Sequence, residues 1–296
     1  MIKIAIIGLG HAFQKQVGAL RQNKNFELVA LCDKNKRNLV RYKGDNLYLT
    51  TNYKTLVNKC ECVLISSPPC SHLKIMKFFI KHNIKIMVEK PIVINSRQFD
   101  CLLSINNDNK IYNCLHFSFG KEIEWWINNK RPDKPRYIKC LITDKYMENN
   151  KILPKAINLH GAYLDETINP LSAIARIYGY EINNIYIFKR RLPNNKYDSY
   201  SMAKFVLNEI DIEIEVDWAR NQDEKYIDLI FDNEIIRLDS KRQLVKELSS
   251  DKILFSGEGE RMTNHYIGAF DNYLITLQNK EKWIKLYTGL FGNYEK

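Results

Sequence analysis

The sequence predicts an α/β protein with two domains. These are a doubly wound parallel sheet over residues 1–118 and an α+β domain with an open, mostly antiparallel sheet over residues 119–296. The length of 296 residues suits about two domains of ordinary size. Apolar strand-like runs alternate with helical patterns in the first domain, whereas residues 209–217 of the second alternate strictly between polar and apolar side chains.

The strand-like runs of the first domain are apolar on both faces. This is typical of a parallel sheet, because crossover helices cover both of its sides. We predict strands at 2–7, 27–32, 47–50, 62–66, 84–89 and 111–116, and helices at 12–22, 53–58, 71–82 and 96–104.

The second domain combines helices with strands that have one polar face. Such alternation indicates an antiparallel sheet with one face in water and the other covered by helices. An open sheet of this kind commonly self-associates, so we expect a homodimer or homotetramer. We predict helices at 121–128, 167–178 and 262–277, a short apolar tail, and strands at 136–144, 185–191, 201–207, 210–218, 226–231 and 234–238.

Composition and charge narrow the function classes. With 45% hydrophobic and 27% charged residues, the chain is not of the disordered class. The net charge of +11 is spread along the chain, whereas nucleic-acid-binding proteins usually concentrate charge on one element, so we expect no nucleic acid. No apolar run approaches the roughly 18 residues that cross a bilayer, so we expect no membrane contact.

The seven cysteines are odd in number and lie in the first half of the chain. A disulfide framework would need an even and denser set, so we expect reduced thiols and a cytoplasmic location. Cys60 and Cys62 are separated by one residue rather than two, and no partner pair follows at zinc spacing. We therefore expect no metal site.

The first motif with chemical meaning is Gly8-x-Gly10-x-x-Phe13, between the first strand and the first helix. Gly8 permits a tight turn, Gly10 lets backbone N–H groups approach a pyrophosphate, and the helix N-terminus adds partial positive charge. We expect Gly8, Gly10, His11 and Phe13 to contact a dinucleotide in a Rossmann domain, with Phe13 where a third glycine is usual. An ordinary tight turn is the alternative.

Asp33 ends the second strand, 23 residues after Gly10. Its carboxylate would accept a hydrogen bond from a ribose 2′-hydroxyl and repel a 2′-phosphate, which favours NAD. Lys34 and Arg37 could neutralise such a phosphate, so NADP remains open.

The loop 66–72 follows the fourth strand, beside the first turn. Ligand crevices of doubly wound sheets form at such strand ends, so we expect Ser67, Pro68 and His72 to contact the cofactor. A plain loop with Ser71 as helix cap is the alternative.

Glu89-Lys90-Pro91 ends the fifth strand, and we expect Glu89 and Lys90 to reach the same crevice. Pro91 biases Lys90 toward an extended conformation. A solvated lysine at a strand end is the alternative. Together, Gly-x-Gly, Pro-Pro-x-x-His and Glu-Lys-Pro in this order resemble the Gfo/Idh/MocA oxidoreductases over the whole chain. The resemblance implies that Lys90 is the catalytic lysine, beside the nicotinamide and the substrate hydroxyl.

Asp165 and Asn169 lie four residues apart, which puts them on one helical face. Because Pro170 is tolerable only in a first turn, we predict that the helix begins near Thr167 with Asp165 at its mouth. The family commonly has His where Asn169 stands. The segment is instead similar to the L-arabinose and D-galactose 1-dehydrogenases, which implies a catalytic Asp165 and a substrate-binding Asn169. Helix capping is the alternative.

The same branch implies two further substrate contacts, His116 and Asp144. His116 begins a His-Phe-Ser segment at the end of the last predicted strand of the first domain, and Asp144 ends the predicted strand 136–144. The glycine run that usually precedes the aspartate reads His160-Gly161-Ala162 here. This departure leaves the identity of the sugar open.

The resemblance thus implies an NAD(P)-dependent oxidoreductase that transfers hydride between the C1 hydroxyl of an aldose and the cofactor. We expect the sugar to lie between the domains, gripped jointly by Lys90 and Asp165. Three alternatives remain: a biosynthetic ketosugar or imine reductase of the same superfamily, a non-catalytic nucleotide-binding relative, and a basic nucleic-acid-binding protein.

Overall fold

In the computed structural model, which describes residues 1–105, 111–276 and 281–291, the chain folds into two units. The first comprises Met1–Cys114 and Tyr266–Lys280, and the second comprises Leu115–His265 and Glu281–Lys296. The predicted domains divide at residue 118, whereas the units divide after Cys114 and the chain returns to the first unit at Tyr266.

Six parallel strands form the sheet of the first unit, in the order β3-β2-β1-β4-β5-β6. The reversal of order between β1 and β4 is the switch point of a doubly wound sheet, and it confirms the predicted parallel architecture. The central strands are apolar on both faces and almost fully buried. The strands are β1 Ile2–Ile7, β2 Phe26–Cys32, β3 Tyr48–Thr50, β4 Cys62–Ile65, β5 Lys85–Glu89 and β6 Ile111–Cys114.

Four α-helices follow strands of this sheet: α1 Phe13–Gln22, α2 Lys36–Val40, α3 His72–Lys81 and α4 Ser96–Ile105. The short α2 was not predicted, because five residues are too few to show helical periodicity. The predicted helix 53–58 is a single 3-10 turn, Tyr53–Leu56. The predicted strand 111–116 ends at Cys114, and His116 begins the 3-10 turn His116–Phe119.

The second unit is built on an eight-stranded mixed sheet in the order β10-β11-β12-β7-β13-β14-β15-β16, and on a two-stranded β8-β9 hairpin. Within the sheet, β12 pairs with β7 in parallel and the other neighbours pair antiparallel. This confirms the predicted mostly antiparallel sheet. The strands are β7 Tyr137–Thr143, β8 Met147–Glu148, β9 Lys151–Ile152, β10 Ile182–Arg190, β11 Tyr200–Leu207, β12 Ile210–Asp217, β13 Lys225–Ile230, β14 Ile235–Asp239, β15 Leu244–Glu247 and β16 Lys252–Ser256.

The alternation of β12 places its apolar side chains in the core. Ile212 and Ile214 are buried, whereas Glu213 lies on the other face between Lys139 of β7 and Lys204 of β11. The polar face therefore consists of cross-strand charge pairs, which explains the strict two-residue period.

The remaining helices are α5 Lys121–Asn129, α6 Ala162–Glu166, α7 Ile168–Tyr178, α8 Arg261–Thr276 and α9 Glu281–Phe291. The predicted helix start near Thr167 is confirmed, since α7 begins at Ile168, but Asp165 lies inside the separate helix α6 rather than at the mouth of α7. Pro170 lacks the N–H that would bond back to the carbonyl of Glu166, so the helical ladder is interrupted there.

Helix α8 explains the return of the chain to the first unit. Its residues Phe270 and Tyr273 pack against Phe26 of β2, with ring centroids 6.0 and 5.8 Å away. The predicted helix 262–277 corresponds to α8, and Leu277 lies outside the described residues. Strands β15 and β16 and helix α9 were not predicted. Strand β16 is largely exposed and lacks a clear apolar face.

The three described ranges contain no helix that is long and apolar enough to cross a membrane.

Glu122 is a fully buried carboxyl group in α5. The Ser240 hydroxyl donates a hydrogen bond to its Oε1 at 2.6 Å, and its Oε2 has no hydrogen-bond partner within the described residues. Burial raises the pKa of Glu122 to about 7. The folded protein therefore prefers the protonated form of this group.

This preference predicts a pH dependence of stability. In the folded protein the pKa of Glu122 is raised from 4.5 to about 7. The stabilisation of the fold by protonated Glu122 is therefore complete below about pH 4.5 and is lost as the pH rises through 7. We expect Glu122→Gln to remove this loss and to stabilise the protein at pH 8 by at most about 3 kcal/mol. Denaturant unfolding between pH 5 and pH 8 measures the free energy of unfolding of both proteins. The control is Glu124→Gln, because Glu124 is a half-exposed carboxylate of the same helix. An unchanged pH slope in Glu122→Gln would contradict the assignment.

Candidate functional site

The turn after β1 is held against the loop after β4. Gly8 has φ +98°, and a Cβ at this position would lie 2.6 Å from the backbone nitrogen of Ser67. The N–H of Gly8 donates to the carbonyl of Cys32 at 2.8 Å. Only glycine fits this junction, because another residue would be strained and would collide with backbone.

Gly10 is glycine for a different reason. Its φ is not in the left-handed region, and a Cβ there would meet no atom within 4 Å. The fold itself therefore does not require glycine at this position. Helix α1 begins at Phe13, just beyond Gly10, and its N-terminus has no side-chain cap. The arrangement fits a pyrophosphate, which a side chain at Gly10 would obstruct.

Asp33 is fixed next to this turn. Its Oδ2 accepts from the N–H of Leu9 and its Oδ1 from the N–H of Asn35, both at 2.8 Å. The carboxylate therefore stands at the end of β2 beside the glycine turn, where the acidic residue of a dinucleotide fold binds ribose hydroxyls.

The other two residues predicted around the turn differ in exposure. His11 is exposed. Phe13 is only 2% exposed, and its ring packs edge-on against Tyr42 with centroids 5.4 Å apart. Phe13 in place of a third glycine therefore adds to the hydrophobic core of the first unit.

His72 connects the two loops that follow β4 and β5. Its Nε2 lies 2.7 Å from the carbonyl oxygen of Ser67, and its Nδ1 lies 3.0 Å from that of Pro91. The ring is fully buried, and burial lowers its pKa to about 4. His72 thus contacts both the loop after β4 and the Lys90–Pro91 segment. The peptide bond between Lys90 and Pro91 is cis. Of the other residues of the loop, Pro68 is exposed and Ser67 pairs its hydroxyl with Ser71 at 2.6 Å.

Glu89 points into the first unit. Its Oε1 accepts from the Gln16 side-chain amide at 2.6 Å and from the Tyr266 hydroxyl at 2.7 Å. The Lys90 N–H lies 3.3 Å from its Oε2. Burial raises the pKa of Glu89. Its oxygens thus already have partners from α1 and α8, while Lys90 itself is half-buried.

Sequence analysis missed Gln16 and Tyr266. Gln16 is a polar residue on the buried face of α1, and this break in the apolar pattern was a usable signal. Tyr266 gives no such signal, because a tyrosine on a helix face is ordinary core material.

In the second unit, Asp165 and Asn169 are both buried, on α6 and α7. The Asn169 side-chain amide donates to Glu166 Oε2 at 2.5 Å. Asp198 accepts from the N–H of Tyr163 at 2.8 Å and so fixes the first turn of α6. The positive φ of Gly161 leads the chain into this turn.

Asp144 forms an ion pair with Lys225, with Oδ2 and Nζ 2.5 Å apart. Burial and the nearby charge of Glu166 raise the pKa of Asp144 and the Lys225 ammonium lowers it, so that the pKa is about 6. Sequence analysis missed both Glu166 and Lys225. The Asp-Glu pair at 165–166 was a possible signal, but nothing local marks Lys225 as buried.

His116 is nearly buried, and its ring centroid lies 5.9 Å from that of His265 at the start of α8. Neither ring nitrogen of His265 has a hydrogen-bond partner within the described residues. Burial lowers the pKa of His265 to about 3, so this ring is neutral.

Each unit therefore assembles part of the predicted site. The first unit brings the carboxyl ends of neighbouring strands together, with Gly8, Gly10, Asp33, Ser67, His72 and Lys90 at or beside them. In the second unit, Asp144 pairs with Lys225 and Asn169 with Glu166, and the charge of Glu166 acts on both Asp144 and Lys225. Within residues 1–105, 111–276 and 281–291, no group of three or more His, Cys, Asp or Glu side chains could hold a metal ion.

Comparison with known proteins agrees with this description of the first unit. Residues 2–112 match the Gfo/Idh/MocA model described as oxidoreductase family, NAD-binding Rossmann fold. The matched residues lie in the first unit, whose parallel sheet has the fold that this description names. A curated relative, the uncharacterized oxidoreductase YgjR of Escherichia coli strain K12, is 22% identical over 115 residues, which are 38% of this chain. The alignment spans only 35% of the length of that relative.

Solved structures resemble the whole chain in fold. GenD2 from gentamicin A biosynthesis, in complex with NAD, is 12% identical with a TM-score of 0.79, over 98% of this chain and 92% of that one. UDP-N-acetylglucosamine 3-dehydrogenase GnnA from Acidithiobacillus ferrooxidans is 11% identical with a TM-score of 0.79, over 98% and 95%. The 3-ketoreductase KijD10 from Actinomadura kijaniata, in complex with NADP and TDP-benzene, is 13% identical with a TM-score of 0.79, also over 98% and 95%.

Together these comparisons support the predicted fold of both units, and residues 2–112 match the Gfo/Idh/MocA family model. None of them confirms the arabinose and galactose 1-dehydrogenase branch. Cofactors of both kinds, NAD and NADP, occur among the similar structures.

The two glycines of the turn give a matched pair of substitutions. Gly8→Ala places a Cβ 2.6 Å from the Ser67 nitrogen at a positive φ, so we expect it to destabilise the protein by about 1–3 kcal/mol. Gly10→Ala meets no protein atom, so we expect unchanged stability but NADH affinity reduced about tenfold or more. Thermal unfolding and calorimetric NADH titration measure the two effects. If Gly10→Ala bound NADH like the wild type, the turn would not be the pyrophosphate site.

Proposed function

We propose that this chain is an NAD(P)-dependent dehydrogenase that transfers hydride between C1 of an aldose and a nicotinamide cofactor, with NAD favoured over NADP. One observation carries the proposal. The switch point of the parallel sheet lies between β1 and β4, and β5 is the next strand. The carboxyl ends of these three strands lead into Gly8, Ser67 and Lys90. In open α/β sheets this edge is where ligands bind.

The first unit's residues fit a dinucleotide. The open approach at Gly10 and the uncapped start of α1 suit the pyrophosphate, and the amide-bound carboxylate of Asp33 suits the ribose hydroxyls. A bound nicotinamide supplies the hydride acceptor or donor. We assign Ser67, Pro68 and His72 to the same site, with His72 acting by positioning the loops rather than by direct contact.

The chain's own residues handle the proton. As hydride leaves C1, the anomeric hydroxyl must lose its proton, and a lactone forms. We assign Lys90 to stabilise the developing oxyanion or relay this proton, and the buried Asp165 to accept it. Asn169 cannot titrate, so it orients the sugar by hydrogen bonding, together with His116 and Asp144.

A second candidate is oxidation or reduction at another sugar carbon. It is favoured by the structural similarity to a UDP-N-acetylglucosamine 3-dehydrogenase and to a 3-ketoreductase. A panel of free aldoses, nucleotide sugars and 3-ketosugars, assayed in both directions with NAD and NADP, distinguishes the two. Turnover of nucleotide sugars alone would replace the aldose proposal with this one.

The proposal includes a cytoplasmic homodimer or homotetramer. The seven cysteines are free thiols, in keeping with a reducing compartment. Tyr186 and Phe188 are exposed on the edge strand β10, where an apolar surface favours association with another copy. Size-exclusion chromatography with light scattering tests the oligomeric state.

Replacing the proposed catalytic lysine should separate chemistry from binding. We expect Lys90→Met to lower kcat about 100-fold or more, since it removes the proton-handling group, and to leave the Kd of NADH within about threefold. Lys85→Met is the control, because Lys85 is exposed at the opposite end of the same strand. A parallel loss of NADH binding in Lys90→Met would contradict the catalytic role.

The charge of Asp33 should determine the cofactor. We expect the wild type to bind NADH more tightly than NADPH, and Asp33→Asn to reduce this preference about tenfold, because repulsion of a 2′-phosphate is lost while an oxygen remains for the Leu9 amide. Titrations with both cofactors measure it, and the exposed Asp45→Asn is the control. An unchanged preference would rule out Asp33 as the discriminating residue.

A further inference from the structure

Lys225, the first residue of β13, is a buried lysine that no sequence motif marks. Only 8% of the residue is exposed. The segment before it is anchored to β7, because the Thr143 hydroxyl donates to the carbonyl of Gln222 and accepts from the N–H of Glu224. Lysine is almost never buried without a partner, so the position of this ammonium calls for compensating groups.

Two carboxylates supply the compensation. Asp144 Oδ2 lies 2.5 Å from the Lys225 ammonium, and the charge of Glu166 acts on both groups. The two carboxylates raise the pKa of Lys225 even though burial alone would lower it. Within the described residues, the charge of Asp223 also acts on Asp144, and that of Arg261 of α8 acts on Lys225.

One of the two carboxylates, Glu166, also binds Asn169, which is already assigned to the substrate. Glu166 accepts the side-chain amide of Asn169 through Oε2 at 2.5 Å. Asp144 is the more exposed member of the ion pair, with 17% of its side chain accessible against 10% for Lys225. Of the two groups, the carboxylate is therefore the more accessible to a ligand.

A role in stability alone does not account for this arrangement. Taking an ammonium and two carboxylates out of water costs several kcal/mol per ion, and apolar side chains of similar volume often stabilise a fold equally well or better. A carboxylate that must stay ionised and oriented to accept hydrogen bonds, in contrast, needs such a cation beside it.

We propose that Lys225 is a positioning residue for substrate recognition, whose ammonium holds Asp144 and Glu166 ionised and oriented as acceptors for adjacent hydroxyl groups of a sugar. The inference rests on the proposed function and adds two residues to it, Lys225 and Glu166. Without the ammonium, burial and the repulsion between the two carboxylates would favour a proton on one of them, which would turn an acceptor into a donor.

The first test uses kinetics of the full chain with the aldose that the wild type oxidises fastest. We expect Lys225→Met to raise KM about tenfold or more while kcat changes less than about threefold. Asp144→Asn should raise KM similarly, and the double variant should lose little more than Asp144→Asn alone, because the two residues act as one unit. The control is Lys246→Met. Lys246 lies on β15 and pairs with Asp251, and its replacement should leave KM unchanged.

The pH profile separates positioning from a merely structural role. Burial raises the pKa of Asp144 to about 6, so kcat/KM of the wild type should fall as the pH drops through this value. In Lys225→Met this limb should move to higher pH, because the opposite charge that lowers the pKa of Asp144 is lost. In Asp144→Asn it should disappear. Structural damage alone would lower the unfolding temperature and kcat without moving the limb.

A readout without substrate completes the test. Carboxyl ¹³C NMR of labelled full-length protein should show one Asp resonance that titrates near pH 6 in the wild type, is absent in Asp144→Asn and moves to higher pH in Lys225→Met. If that titration is the same with and without Lys225, the inference is overturned, whatever the activity. Turnover with unchanged KM in Lys225→Met overturns it as well, whereas absence of turnover with every aldose overturns the proposed function instead.

Discussion

The contact between the turn after β1 and the loop after β4 is the constraint on which the candidate cofactor site depends. Gly8 must be glycine because the backbone of Ser67 occupies the space that a Cβ would take. Once these segments touch, Asp33 can accept the N–H of Leu9, and His72 can connect the Ser67 loop to Pro91. The residue that precedes Pro91, Lys90, is thereby anchored to the strand ends. A local steric requirement in one turn thus organises the edge of the whole parallel sheet.

Burial shifts the pKa values of several side chains, and the direction depends on the charge that the group would carry. It keeps His72 neutral by lowering its pKa to about 4, and it favours protonated Glu122 by raising its pKa to about 7. Asp144 differs, since an ammonium beside it opposes the effect of burial. A buried group without a close ion-pair partner therefore favours its neutral form, whereas a group in a close ion pair can keep a charge that is useful to a ligand.

The candidate site was predictable where chemistry follows a strand end. Gly8 and Asp33 stand directly after strands and Gly10 lies in the turn that Gly8 begins, so periodicity and spacing were sufficient to place them. Glu89 was placed at the right strand end, but its carboxylate is bound to Gln16 and Tyr266 inside the first unit. Its neighbours in space come from helices far along the chain, and the direction of its side chain depends on how those helices pack.

The sequence by itself determined the parallel sheet, the glycine turn and the antiparallel sheet, because each is a local pattern of burial repeated at short range. Only the tertiary structure decided that Asp165 lies inside a separate helix, that α8 returns to the first unit and that Lys225 meets Asp144. The last pair is 81 residues apart in the chain. A buried charge is stabilised only by a partner that folding brings to it, and no periodicity in the sequence records which distant residue that partner is.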